Sequence, residues 1–169
     1  VQGLAIEIGQ RLGSLQEPKM DENDLDCPAS ALAPICKLRN LKFISLEKNK
    51  LSAMPSLIGT MTSLRRLSMH TNQITDLPAS ICLLVGLENL DLHKNMLKAL
   101  PHGIGQMRSL LKLDLSENRL VELPLAICEL NDTLQLSVGR NPLEKPSIEQ
   151  ARQGIGSIRR FFGYSKKRE

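Results

Sequence analysis

The chain has 169 residues, of which 41% are apolar and only 2% aromatic, with no Trp and a formal net charge of +4. That length is enough for one domain with a continuous core, and the scarcity of aromatics leaves Leu, Ile and Met to fill it. No apolar run approaches the ~18–20 residues that a membrane-spanning helix needs. No signal peptide is visible, although a chain that starts at Val1 is consistent with an upstream part removed or left out.

Residues 1–14 read as an amino-terminal capping segment. Leu4, Ile8 and Leu12 fall on one face of an amphipathic helix that would cover the open end of the repeats after it. Ile8 to Leu15 is similar to Ile104 to Leu110 with one extra residue, and Met20, Asn23 and Leu25 fit the pattern of the later repeats. A degenerate first repeat is therefore expected around Asn23, with Pro18 the misfit, because a proline does not suit a buried strand position. Next comes Asp26-Cys27-Pro28-Ala29-Ser30, a counterpart of Asp76 to Ser80 once the four residues Ala31 to Pro34 are taken as an insertion. The insertion should bulge from the outer side or lengthen a helical turn there, and Cys27 reads as a small core residue.

Regularity then sets in. Leu87-Glu88-Asn89-Leu90-Asp91-Leu92-His93-Lys94-Asn95-Met96-Leu97 has the form L-x-x-L-x-L-x-x-N-x-L, and its asparagine returns at a 23-residue spacing as Asn49, Asn72, Asn95, Asn118 and Asn141. Leu90 and Leu92 alternate with Asp91 and His93, the period of a half-buried strand. Strands at a constant repeat distance stack in parallel about 4.8 Å apart. Each asparagine falls where the chain leaves the strand and turns inward. Its amide both donates and accepts, so a column of them can pair the backbone groups of successive buried turns. Pro55, Pro78, Pro101 and Pro124 begin a compact return path that cannot be strand.

These motifs resemble the leucine-rich repeat family, in particular the 23-residue, proline-containing class of intracellular Ras-associated scaffolds. The resemblance covers about residues 8–163 and implies an α/β solenoid. Its curved parallel sheet lies on the concave side, short helical turns lie on the convex side, and helical caps close the ends. The repeats occupy residues 15–146, the first degenerate and five regular. In the last of them Thr133 stands where Leu41, Leu64, Leu87 and Leu110 stood, with Leu134 beside it. From Ser147 the period changes. Ser147 and Gln150 form a capping-box pattern, and Ile148, Ala151, Ile155, Ile158 and Phe162 follow helical spacing. A capping helix is expected over 147–163, weakened by Gly154 and Gly156 and ended by Gly163. Residues 164–169 read as a solvated basic tail.

Cys36, Cys82 and Cys128 recur at double the repeat spacing and alternate with Gly59 and Gly105, which marks a slot for a small side chain. Two repeats separate successive cysteines by about 10 Å, beyond the ~7 Å limit for a disulfide. Free thiols and a reducing, intracellular compartment are therefore expected, the cytoplasm first and an organelle after cleavage of a targeting peptide second.

No enzyme motif has supporting context, so no catalytic residue, metal or cofactor is assigned. The outward strand positions form three columns: Phe43, Arg66, Asn89, Lys112, Gln135; then Ser45, Ser68, Asp91, Asp114, Ser137; then Glu47, His70, His93, Ser116, Gly139. The paired His70/His93 and Asp91/Asp114 could in principle bind zinc or do acid–base work, but an open sheet does not exclude water. A solvated binding face is the simpler reading. A face that mixes signs and carries one aromatic, Phe43, is poorly suited to nucleic acid. The expected function is a non-enzymatic protein–protein module, an adaptor or scaffold whose partner touches Phe43, Arg66, His70, Asn89, Asp91, His93, Lys112 and Asp114. The resemblance implies partners such as a small GTPase, a phosphatase or a large assembly. Two further readings stand beside it: a fixed structural subunit, and the recognition segment of a longer ligase or kinase.

Overall fold

The computed structural model describes Asp21 and residues 29–165. The expected amino-terminal helix, the degenerate repeat around Asn23, Cys27 and the basic residues 166–168 lie outside the described residues. Five three-residue strands, β1 (Phe43–Ser45), β2 (Arg66–Ser68), β3 (Asn89–Asp91), β4 (Lys112–Asp114) and β5 (Gln135–Ser137), form one parallel sheet in chain order. The pairing keeps repeat positions in register, so that Ile44, Leu67, Leu90, Leu113 and Leu136 lie side by side. After each of the first four strands a five-residue 3-10 turn returns the chain: Ser56–Thr60, Ala79–Leu83, His102–Gln106 and Leu125–Glu129. The proline before each turn is extended and serves as its amino-terminal boundary, a place where a missing N–H costs nothing.

The core is a ladder of Leu, Ile and Met. Leu90, Leu92, Leu97, Ile104 and Met107 of a single repeat are each at most 1% exposed. Fully burying such a side chain is worth ~1.5–3 kcal/mol, but a lone repeat has no neighbour to bury it against, so stability comes only from stacking. In the last repeat the buried leucine that precedes the strand moves by one residue, while the strand itself stays in register. Leu134 is buried and Thr133 exposed, with the Thr133 amide held by the Asn131 side chain.

The asparagines sit on the inner turns, 6–9% exposed. Asn95 accepts from the amide of Ile74 in the preceding repeat (3.0 Å) and donates to the carbonyls of Met69 (3.0 Å) and Leu92 (3.1 Å). Asn72, Asn118 and Asn141 make the same three bonds in their own repeats. Met69 O and Leu92 O therefore each receive two asparagine side chains, one from their own repeat and one from the next. The residue before each asparagine is left-handed: Lys48, Thr71, Lys94, Glu117 and Arg140 have φ of 51–56°. None is glycine, and for β-branched Thr71 this conformation is unusual.

The Ala31–Pro34 insertion lengthens the outer helical segment rather than bulging. A 3-10 turn at Ala29–Leu32 precedes a second at Ile35–Lys37, and Leu32 is drawn into the core. The outer turns also explain the alternation of cysteine and glycine. A Cβ on Gly105 would lie 2.5 Å from the carbonyl oxygen of Ala126 in the next turn, and a Cβ on Gly59 would strike that of Ser80. Cys82 instead faces Gly103.

The single carboxy-terminal helix expected over 147–163 is a pair, α1 (Ile148–Arg152) and α2 (Ile155–Phe161). Gly154, at φ 89°, breaks it, a conformation that only glycine adopts cheaply. The capping box at Ser147 and Gln150 is formed, and Ala151, Ile155 and Ile158 are buried against the last repeat. Arg159 fastens the pair in place. Its guanidinium donates to the carbonyls of Cys128 and Leu130 (both 2.8 Å) and pairs with Asp132. Left-handed Gly163 ends α2 as expected, but Tyr164, placed in the solvated tail by its sequence, packs against the core.

Candidate functional site

All eight side chains expected to meet a partner lie on the concave sheet, arranged in three rows across the strands. Phe43, Arg66, Asn89 and Lys112 occupy the row at the strand starts, where the Arg66 guanidinium lies 4.9 Å from the centre of the Phe43 ring. Asp91 and Asp114 occupy the middle row as direct partners across β3 and β4. His70 and His93 lie just past the strand ends, their rings edge to face with centroids 6.2 Å apart. Strand pleat dictates this arrangement, since positions two apart point to the same side.

The rows are cross-linked by residues that the sequence placed in the columns but not in the site. Glu47 Oε2 lies 3.0 Å from His70 Nε2. His93 Nδ1 is 3.0 Å from Ser116 Oγ, and Ser116 Oγ donates to Asp114 Oδ1 at 2.5 Å. The backbone amides of His93 and Ser116 each donate to the aspartate two residues earlier, Asp91 and Asp114, at 3.0 Å. Both carboxylates are thereby fixed in direction. The sequence signal for these links was the shared column, and what it lacked was side-chain rotamer.

Ser45 and Ser68 depart from the expectation of an outward, solvated column. They are 1% and 8% exposed, because short side chains sink between longer neighbours. Ser45 donates to Asp21 at 2.6 Å, and the Glu47 amide donates to the same Asp21 oxygen at 2.9 Å. Ser68 Oγ is buried and, among the described residues, has no hydrogen-bond partner. The residue lines a shallow concavity of about 180 Å³ together with Phe43, Glu47, Arg66, Asn89, Asp91 and Lys112.

Ser116, His93 and Asp114 include the residue types of a nucleophilic triad but not its order. The serine is in the middle, bonded to both others, whereas a triad needs the histidine between serine and carboxylate. Among the described residues no group of three or more His, Cys, Asp or Glu is placed to hold a metal ion. Cys36, Cys82 and Cys128 lie away from this face, buried in the core as free thiols. Burial pushes the Cys36 thiol up to about 11 and raises Cys82 and Cys128 in the same direction, with the Arg159 charge pulling Cys128 partly back. Such thiols are poor nucleophiles at neutral pH. No helix among the described residues is long and apolar enough to cross a membrane.

A family model described as a leucine-rich repeat region matches residues 22–110, and a second, leucine rich repeat, matches residues 109–130. Among solved structures the chain is similar to an internalin from Listeria monocytogenes, with a TM-score of 0.59 and 26% identity. That match covers 65% of this chain and 31% of the internalin, so this chain spans under a third of the neighbour's length. No curated protein matches.

Proposed function

Since the chain belongs to the leucine-rich repeat family, we propose that it is a non-enzymatic adaptor that takes up a protein partner on its concave sheet. Leucine-rich repeat domains generally mediate protein–protein interaction. The observation that carries the finer reading is the contrast between the two sides of one sheet. Inward positions stay apolar from repeat to repeat, whereas the outward row at the strand starts changes chemistry at each strand, from Phe43 through Arg66 and Asn89 to Lys112. A face so constructed presents varied groups on a fixed backbone, at small entropic cost on binding. Its paired cations and anions suit an orienting, polar interface. Three buried, unpaired thiols support placing the protein in a reducing compartment.

The test is the double charge reversal Arg66→Glu with Lys112→Glu in pull-downs from native lysate. Both side chains are exposed, so the thermal midpoint should stay within a few degrees while the partner is lost. Retention of every partner with unchanged salt sensitivity would move the binding surface to the convex side or the caps.

A further inference from the structure

We propose that the middle row of the concave sheet is a seat for one arginine side chain of the partner, formed by Asp91, Asp114 and the hydroxyl of Ser68. This rests on the concave-face reading and specifies its chemistry.

Asp91 and Asp114 face each other across adjacent strands, about 4.8 Å apart at the backbone. Like charges so placed oppose the pairing of their strands. Neither carboxylate has a cation within ion-pair distance among the described residues, and the bonds each makes come from its own chain two residues on. Those bonds occupy one oxygen of each aspartate and hold it rigid. The second oxygens are left to a ligand.

Ser68 completes the row as the direct strand partner of Asp91. Its hydroxyl is a buried side-chain polar atom that the described residues leave unsatisfied, a state that native proteins rarely tolerate without use. Ser45, one strand earlier, shows what the position accepts: its hydroxyl is met by the carboxylate of Asp21. At Ser68 no carboxylate among the described residues arrives, and the residue lines the concavity beside Asp91.

A donor that must serve two fixed carboxylates and a hydroxyl in a line needs several N–H groups in one plane. Guanidinium supplies five, and an ammonium supplies three from a point. One row up, Lys112 carries the opposite charge, two residues or about 7 Å away. It favours a partner with an acidic side chain at that offset over a generally basic one. The occupant is thus a segment with arginine and an acid at the i, i+2 spacing of a strand, or at i, i+4 on a helix.

The experiment is a titration of the full ¹⁵N-labelled chain with an acetylated, amidated Ala-Glu-Thr-Arg-Ala peptide. The reporters are the amides of His93 and Ser116, which are bonded to the two carboxylates. Saturable shifts at both are expected in the millimolar range. Replacing the peptide arginine by neutral citrulline should weaken binding roughly tenfold or more. Asp91→Asn with Asp114→Asn should do the same, since the amide oxygens keep the bonds from His93 and Ser116 and only the charge is lost. Ser68→Ala should weaken binding by a smaller factor. Equal affinity for the citrulline peptide, shifts confined to other regions, or full affinity in the double asparagine variant would each overturn the seat. The peptide reports on the seat alone, whereas the lysate experiment with Arg66→Glu and Lys112→Glu reports on the face. A failed seat with partners lost in that experiment leaves the concave-face reading standing.

Discussion

Replacing Asn95 by alanine tests the asparagine ladder at its centre. The side chain makes three good bonds, but their loss is unequal. Met69 O keeps its bond from Asn72, and Leu92 O keeps its bond from Asn118. Only the amide of Ile74, a residue with no exposure, is left with nothing to replace its partner. One stranded buried donor costs ~1–3 kcal/mol, and two carbonyls reduced from two bonds to one add a fraction of a bond each. The expected loss is therefore about 2–4 kcal/mol, read by urea unfolding followed by circular dichroism. Asn95→Asp should lose more, because it keeps the acceptor for Ile74 but turns a charge toward two carbonyl oxygens. Asn89→Ala, the same deletion on the half-buried concave face, should cost less than about 0.5 kcal/mol. If Asn95→Ala and Asn89→Ala unfold at the same urea concentration, the ladder does not hold the turns together.

Gly105→Ala should destabilise by ~1–3 kcal/mol, since its Cβ meets a backbone oxygen that cannot yield, whereas Gly156→Ala, with nothing within 4 Å, should be neutral or stabilising; equal thermal midpoints would refute the close approach of the turns. Arg159→Ala should loosen the carboxy-terminal helix pair by ~1.5–3 kcal/mol and speed amide exchange in α2, while Arg160→Ala changes little. The thiols of Cys36, Cys82 and Cys128 should react slowly with a thiol reagent when folded and fully in denaturant; a mass gain on reduction would show a disulfide and contradict their burial as thiols. Because Cys36 titrates at about 11 when folded against an ordinary 9.0, the unfolded chain releases that proton first. Stability should accordingly fall as pH rises through that window, and a thermal midpoint that stays flat across it would count against the burial of the thiol.

The strands, the ladder and the row order of the concave face were legible because each follows from a period: two along a strand, 23 along the chain. Features set by a single dihedral were not. Lys48, Thr71, Lys94, Glu117 and Arg140 share a left-handed conformation, yet the usual marker, glycine or asparagine at the position itself, is missing. The asparagine that fixes this turn is the next residue. The glycines at 154 and 156 were visible, but their spacing alone does not say which of them carries the positive φ. Ser68 reads as outward by alternation and is buried by the length of its neighbours, a property of rotamers rather than of pattern.

The outer turns also constrain how such an array can change length. Gly59 admits the carbonyl of Ser80, and Gly105 admits that of Ala126, so turns approach closely in pairs, glycine turn against cysteine turn. Excising one 23-residue unit would set two turns of the same kind side by side. Either a cysteine side chain would meet the carbonyl that glycine was there to clear, or a gap would open where none existed. Excising two restores the alternation. Growth or shortening of this protein by whole copies is thus favoured in even steps, and a designer who wishes to extend it should duplicate two repeats at a time.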